Sequence, residues 1–376
     1  MNILFALPGL HRYERGAEVA LLALADGMAR QGHGVTVIGS GEPRASDPYR
    51  FIQADSIRRE RLEKLPTMPL FRSETVWEEA SFVPALLRAY RPADHDVTVT
   101  CSYPFTNWAL RRPVPGGRRP AHIFITQNGD WPAQTNGSEY RWFGCEGLVC
   151  TNPDFYERNR EMWPSALIPN GIDVDKFSPG AGERARFGLP AGRTVVLMVS
   201  ALIDSKRVAK GIEAVARLPD CHLVVAGDGP LRDRIDALAK ARLPGRFTRL
   251  TVAAADMPRL YRSADVFLHL SREESFGNVF LEAMACGLPV VAQESPRVRW
   301  IVGGDEPLVD TDDLDAVAHA IAGATGGGAT GRDARVRRAH GFSWERIAGL
   351  YLDFFGEVLA RTAARDPGAQ NSASRK

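Results

Sequence analysis

Short runs of consecutive apolar residues alternate along this chain with longer segments whose apolar positions recur every three or four residues. The first pattern predicts buried strands and the second amphipathic helices. In the first half, Ile3–Leu7, Gly34–Ile38, Val97–Thr100, His122–Thr126 and Leu148–Thr151 read as strands. Helical periodicity fills Ala17–Gln31 and Glu74–Tyr90 between them. A fresh alternation brings strands at Val195–Ser200, Leu223–Ala226, Arg249–Ala253, Val266–Leu270 and Pro289–Ala292. Apolar strands separated by helices indicate parallel sheets covered on both faces, so the expected class is α/β with doubly wound sheets. Between the halves, Ile168-Pro169-Asn170-Gly171-Ile172-Asp173 carries turn formers, and polar positions continue to Pro179-Gly180. A boundary near residue 170 is expected, with domains 1–170 and 171–343. A last apolar-periodic helix follows over 344–362, and the polar tail 363–376 reads as disordered.

A chain of 376 residues exceeds what one core usually serves, which agrees with two domains. The net charge of +2 is spread over both halves, so no nucleic-acid partner is expected. Five cysteines without a C-x-x-C pair read as core thiols of a reducing compartment. Met1–Pro8 has no basic lead and is broken by Pro8, so it reads as a first strand and not as a signal peptide. No window approaches the ~20 apolar residues of a membrane span. A cytoplasmic location is expected, with peripheral membrane contact left open. Asp173-Val174-Asp175 has the form D-x-D but lies in the linker, and no histidines fall in H-x-H or H-x-x-x-H, so neither metal nor cofactor is expected. Pro8-Gly9-Leu10-His11 does not make G-x-G-x-x-G, which argues against a nicotinamide cofactor.

The most informative stretch runs from Ser271 to Ala285. It follows an apolar strand and turns helical at Phe276, Val279, Phe280, Ala283 and Met284. Glu274 then falls on the strand-to-helix loop and Glu282 about two turns into the helix, roughly 9–12 Å away at ~1.5 Å per residue. The first-turn N–H groups of Phe276, Gly277, Asn278 and Val279 lack intrahelical partners and form an anion site beside Ser275. Two hydroxyl-binding carboxylates around a phosphate site match a sugar nucleotide, with sugar and ribose at its ends.

This stretch resembles the E-x7-E signature of retaining GT-B glycosyltransferases of family four, and Ala283-Met284-Ala285-Cys286-Gly287-Leu288-Pro289-Val290-Val291-Ala292 continues the likeness. The resemblance implies two facing doubly wound Rossmann-like domains with the donor cleft between them. It makes Glu274 the ligand of the transferred sugar and Glu282 that of the ribose. Arg15-Gly16-Ala17-Glu18 resembles the family's G-G-A-E loop with Arg15 in the first Gly position, which would set Gly16 against donor phosphate and acceptor. Ser205-Lys206-Arg207 resembles the end of R-x-x-x-x-K-G, with Ala201 in the Arg position and Arg207 in the Gly position. Lys206 is then the expected diphosphate cation, and Arg207 either substitutes for the missing Arg or is a solvated neighbour. Gly227-Asp228-Gly229-Pro230 resembles the G-x-G-P turn lining the nucleotide cleft, and Val252 ends the next strand near the base.

In the first domain, Gln127, Asn128, Asp130 and Trp131 form an amide-rich turn after a strand, where family members often carry His. Amides and an aromatic face suit recognition of a sugar acceptor, and an ordinary Asn-Gly turn with a packed Trp fits the same residues. Tyr103, Tyr140 and Trp142 are open to the same two readings. The expected function is retaining, metal-independent transfer of a hexose-type sugar from a nucleoside-diphosphate sugar to a carbohydrate or glycoside hydroxyl. A sugar-nucleotide epimerase and a non-catalytic sugar-nucleotide-binding protein are the alternatives.

Overall fold

A computed structural model describes residues 1–115, 117–134, 141–272, 274, 276–325 and 328–365. The chain divides into two compact units, Met1–Asn170 with the segment from Trp344 onward, and Gly171–Ser343.

The first unit holds β1 (Asn2–Ala6), β2 (Gly34–Gly39), β3 (Arg50–Gln53), β4 (Val97–Thr100), β5 (Ala121–Ile125), β6 (Gly147–Cys150) and β7 (Ser165–Leu167). All pair in parallel, in the order β3-β2-β1-β4-β5-β6-β7. The order reverses between β1 and β4, which makes that junction the topological switch point. β4 to β6 are apolar apart from Thr98, Thr100 and His122 and are wholly buried, as strands covered on both faces must be. Helix Gly16–Arg30 packs Leu21, Leu24 and Met28 against one face. The C-terminal helix Trp344–Arg365 joins the same core through Ile347, Tyr351, Phe354, Phe355 and Val358.

The second unit holds β8 (Thr194–Val199), β9 (Cys221–Ala226), β10 (Phe247–Leu250), β11 (Val266–His269), β12 (Val290–Gln293) and β13 (Leu308–Val309). They are again all parallel, ordered β10-β9-β8-β11-β12-β13, with the switch point between β8 and β11.

The structure departs from the sequence expectations at edges. β3, β7 and β13 gave no signal because each is a short strand at or next to a sheet edge, with partly exposed positions that blur an apolar run. β10 ends at Leu250, three residues before the expected end, so Val252 lies past the strand with its side chain against the domain core. Helix Phe105–Leu110 was also unmarked. All five cysteines are buried and unpaired. Among the described residues, no helix is long and apolar enough to cross a membrane. The expected tail falls largely outside the described residues.

Candidate functional site

Two loops leave the carboxyl ends of β8 and β11 on either side of the second unit's switch point. The first forms a 3-10 turn, Asp204–Lys206, before helix Val208–Ala216. The second leads from Leu270 to helix Asn278–Ala285. In open α/β sheets this position is where ligands bind. Here the loops bring Lys206 and Glu274 together: Lys206 Nζ donates to Glu274 Oε1. A third group completes the cluster, because His269 Nε2 lies 2.9 Å from the same carboxylate oxygen. His269 is the last residue of β11 and is 3% exposed. Burial alone would push the Glu274 carboxyl up, but the hydrogen bonds and charges of His269 and Lys206 outweigh it and hold it below its ordinary value. A ready-made anion therefore stands beside a ready-made cation at the sheet edge.

The backbone that carries Glu274 is fixed at several points. Arg297 Nη1 donates to the Glu274 carbonyl, from helix Pro296–Val302. Ser295 caps that helix by accepting the Val298 N–H at 3.2 Å. Gly277 has φ +85°, and a Cβ there would sit 2.7 Å from the Phe280 ring. Only glycine serves both demands. The same Phe280 ring, 1% exposed, meets the His269 ring nearly edge-on with centroids 5.0 Å apart. One buried aromatic thus seats the loop and the histidine together.

The helix starts later than the sequence suggested. Left-handed Gly277 is its N-cap, so the first helical residue is Asn278 and Phe276 is a core side chain before the turn. Glu282 consequently lies about one turn into the helix, not two, ~6 Å along its axis. It accepts a hydrogen bond from the buried Tyr261 hydroxyl at 2.7 Å. Burial pushes the Glu282 carboxyl up, with the Tyr261 hydroxyl opposing in part. The N–H groups of Asn278 and Val279 belong to the first helical turn. Ser275 lies outside the described residues.

Arg207 takes the left-handed conformation, φ +55°, at the junction between the 3-10 turn and helix Val208–Ala216. That backbone favours glycine, the residue the resemblance expects there. Its guanidinium donates to Leu270 O at 3.2 Å, Thr311 Oγ1 at 2.6 Å and Thr311 O at 3.2 Å, and pairs with Asp312. Arg207 therefore ties the two switch-point loops to the segment after β13. Gly227 has φ +155°, and a Cβ there would lie 1.9 Å from Ser200 O, so the turn after β9 closes directly on the loop after β8.

The first unit's switch point is differently furnished. Gly16 opens its helix, and a Cβ added there would meet nothing within 4 Å. Protein packing gives no reason for glycine at this position. The Arg15 guanidinium stacks over Tyr13 at 4.1 Å. Glu18 is 5% exposed and burial pushes its carboxyl up; its Oε1 fills the space that a Cβ on Gly9 would need. Glu79, 1% exposed, accepts the Thr106 N–H at 2.6 Å at the start of helix Phe105–Leu110, and burial pushes its carboxyl up to about 7.

The amide-rich turn is largely engaged within its own unit. The Gln127 side chain donates to Asn170 Oδ1 at 2.5 Å and accepts from Asn170 Nδ2 at 3.1 Å. Asp130 is buried under Arg158 and Asn159, which donate at 2.9 Å and 2.8 Å. Asn128 is exposed, with its amide 4.0 Å from the Cys101 sulfur, and Trp131 is 42% exposed. Tyr103 is a buried ring, Trp142 is half exposed, and Tyr140 lies outside the described residues. Among the described residues, no group of three or more His, Cys, Asp or Glu is placed to hold a metal ion.

Sequence reasoning passed over His269, Arg297 and Tyr261, and counted Phe280 only as an apolar helix position. A signal existed for the first: a histidine ending an otherwise apolar strand, five residues before the key glutamate.

Two Rossmann-like domains in one chain, the second with a cation and a carboxylate at its switch point, define the GT-B class of fold. Residues 15–176 match the family described as Glycosyltransferase Family 4, and residues 182–326 match Glycosyl transferases group 1. The chain belongs to this family of glycosyltransferases. It is 36% identical over 223 residues to D-inositol 3-phosphate glycosyltransferase of Mycobacterium sp. (strain KMS), a match covering 56% of this chain and 51% of that protein. It is 32% identical over 212 residues to the GDP-mannose-dependent alpha-(1-6)-phosphatidylinositol dimannoside mannosyltransferase of Mycobacterium tuberculosis (strain ATCC 25177 / H37Ra), covering 54% of this chain and 55% of that one. The chain thus spans about half the length of the curated relatives it matches. In fold it is similar to sucrose-phosphate synthase from Thermosynechococcus elongatus, with a TM-score of 0.74 at 23% identity over 96% of this chain and 99% of that one. It is likewise similar to Anabaena HepE in complex with UDP and glucose, with a TM-score of 0.68 at 18% identity over 95% and 100% of the two chains.

Proposed function

We propose that this chain transfers a hexose-type sugar from a nucleoside-diphosphate sugar to an acceptor hydroxyl, with retention at the anomeric carbon and without a metal ion. The observation that carries the reading is the meeting of Lys206 and Glu274 at the second unit's switch point. Departure of a nucleoside diphosphate builds negative charge on phosphate, and fixed donors aimed at that charge contribute most to catalysis. The first-turn N–H groups of helix Asn278–Ala285 supply such donors, and Lys206 adds a cation beside them. Glu274 holds sugar hydroxyls so that C1 faces the acceptor, a positioning effect. Glu282, already accepting one hydroxyl from Tyr261, takes the ribose diol. In the step itself the C1–phosphate oxygen bond breaks and the C1–acceptor oxygen bond forms on the same face. The acceptor proton passes to the leaving phosphate oxygen. Family membership supports this same-face course, and Lys206 takes the charge-neutralising part that a metal would otherwise play.

A panel of UDP-, GDP-, dTDP- and ADP-sugars, read first by thermal shift and then by turnover, tests the reading. Stabilisation by one donor family followed by sugar transfer that survives EDTA is the expected result. Binding without turnover would identify a sugar-nucleotide-binding protein, and isomerised donor an epimerase. Glu282→Ala should weaken both diphosphate and donor by about 1.5–3 kcal/mol for lost charged hydrogen bonds. Glu274→Ala should spare the diphosphate and lose turnover. Equal loss of diphosphate affinity in both variants would overturn the assignment of the two carboxylates.

A further inference from the structure

We infer that His269 is a positioning residue for the transferred sugar: it holds Glu274 by one carboxylate oxygen while Lys206, bound to the same oxygen, is released toward the donor's diphosphate. The inference rests on the donor site proposed above and concerns residues that the proposal leaves unassigned. Lys206 Nζ and His269 Nε2 both reach Glu274 Oε1, the histidine at 2.9 Å. The two holds differ in kind. Lys206 is a flexible side chain, 21% exposed, on a 3-10 turn. An ammonium on a four-carbon stem can swing to a new anion. His269 cannot move in this way. Its side chain is 4% exposed, and its ring lies edge-on to Phe280 at 5.0 Å and 79° and near-parallel to Phe267 at 6.2 Å and 17°.

A carboxylate oxygen gripped by two donors leaves its partner oxygen to accept hydroxyl hydrogens. When the diphosphate attracts Lys206, a carboxylate without a second hold would swing freely on its loop. With His269 in place, Glu274 keeps its aim, and the sugar is received by an oxygen whose position the protein core determines. Lys206 is then a placeholder in the empty site, satisfying the Glu274 anion until the donor arrives. The histidine neither gains nor loses a bond through the cycle.

The test uses the full chain and whichever of UDP, GDP, dTDP or ADP stabilises it most, together with the matching nucleoside-diphosphate hexose. His269→Leu should leave the diphosphate Kd within about twofold. It should lower kcat roughly 10- to 100-fold, the scale of a misplaced reactant. His269→Gln, whose amide can still donate to Glu274, should recover a large part of kcat. Where His269→Leu does not fold, His269→Asn, whose shorter amide does not reach Glu274, takes its place in a double-mutant cycle with Glu274→Gln. The two effects should then be strongly non-additive. Equal weakening of diphosphate and donor in His269→Leu, unchanged kcat, or additivity in the cycle would overturn the role of His269. Failure of every nucleoside diphosphate to bind the wild-type chain would instead overturn the donor site itself, so the two failures are distinguishable.

Discussion

The two switch points of this molecule are built on the same topology and furnished in opposite ways. In the second unit, Lys206 and His269 converge on one carboxylate oxygen of Glu274, and Phe280, Arg297 and left-handed Gly277 hold the histidine and the loop in place. In the first, the carboxylates Glu18 and Glu79 are turned inward, Gln127 and Asp130 are bound within their own unit, and Gly16 opens onto free space. One edge gathers its polar side chains around a single carboxylate. The other keeps its polar groups for itself and offers an open backbone and exposed Trp131. In the proposed function this edge meets a diphosphate, which is the same in every sugar nucleotide, so its groups can be dedicated to one charge. The first unit's edge would in that reading meet the acceptor, which varies, and an edge that must suit it carries fewer dedicated charges.

Substitutions can break this contrast, and the largest effect falls on the second unit's backbone. Gly227→Ala places a methyl group 1.9 Å from Ser200 O at φ +155°, and an unyielding carbonyl is the obstacle. A loss of about 3 kcal/mol or more is expected. Chemical denaturation should show it in the second unit's transition; a change below about 0.5 kcal/mol would mean the two loops do not close on each other.

Next comes an inward-turned acid of the first unit. The Glu79 carboxyl is raised in the folded chain to about 7 from an ordinary value of 4.5. The sign follows directly: the folded state binds more protons across that interval. Its contribution to stability is complete below pH 4.5 and is lost as pH rises through 7, by up to about 3 kcal/mol. Glu79→Gln should flatten this part of the stability profile. An unchanged profile would show that the buried acid does not titrate there.

Lys206→Ala should cost on the order of 10²-fold in turnover, comparable to deleting an oxyanion donor. Arg207→Ala sharpens the reading of that pair. Its guanidinium is occupied by Thr311, Leu270 and Asp312, so stability should fall while turnover changes far less than with Lys206→Ala. A turnover loss as large as that of Lys206→Ala would make Arg207 a phosphate ligand. The smallest structural effect belongs to Gly16→Ala, where the new methyl meets nothing and stability should shift by less than ~0.5 kcal/mol. Turnover should nevertheless fall several-fold, since a ligand and not the protein requires glycine there. Unchanged turnover would leave Gly16 as an ordinary helix start.

The contrast also explains what the sequence made legible. The central strands announced themselves because burial on both faces demands apolar runs, as in Val195–Val199. β3, β7 and β13 did not, because an edge needs fewer apolar positions. The resemblance put both Glu274 and Lys206 on loops at one sheet edge, and the structure brings the two side chains together there. The grip of His269 on Glu274 was not legible, since it depends on two aromatic rings that fix an imidazole in three dimensions. The late helix start has a local cause as well: periodicity counts Phe276 as helical, whereas the positive φ of Gly277 postpones the first turn. Arg207 shows the converse, a residue whose charge suggested a ligand and whose position made it a tie between loops.

The helix Trp344–Arg365 carries a consequence for how the chain is made. A nascent polypeptide that has emerged as far as Ser343 contains every residue of the second unit but lacks Ile347, Tyr351, Phe354, Phe355 and Val358, which belong to the core of the first. The part synthesised first is therefore the last to be finished. Its sheet must wait, with one apolar face covered by helix Gly16–Arg30 but not yet by the C-terminal helix, while the later domain is translated and folds, an interval on the order of ten seconds or more at ~5–20 residues per second. During that interval, and not in the finished fold, the apolar positions that the last helix covers are open to other chains.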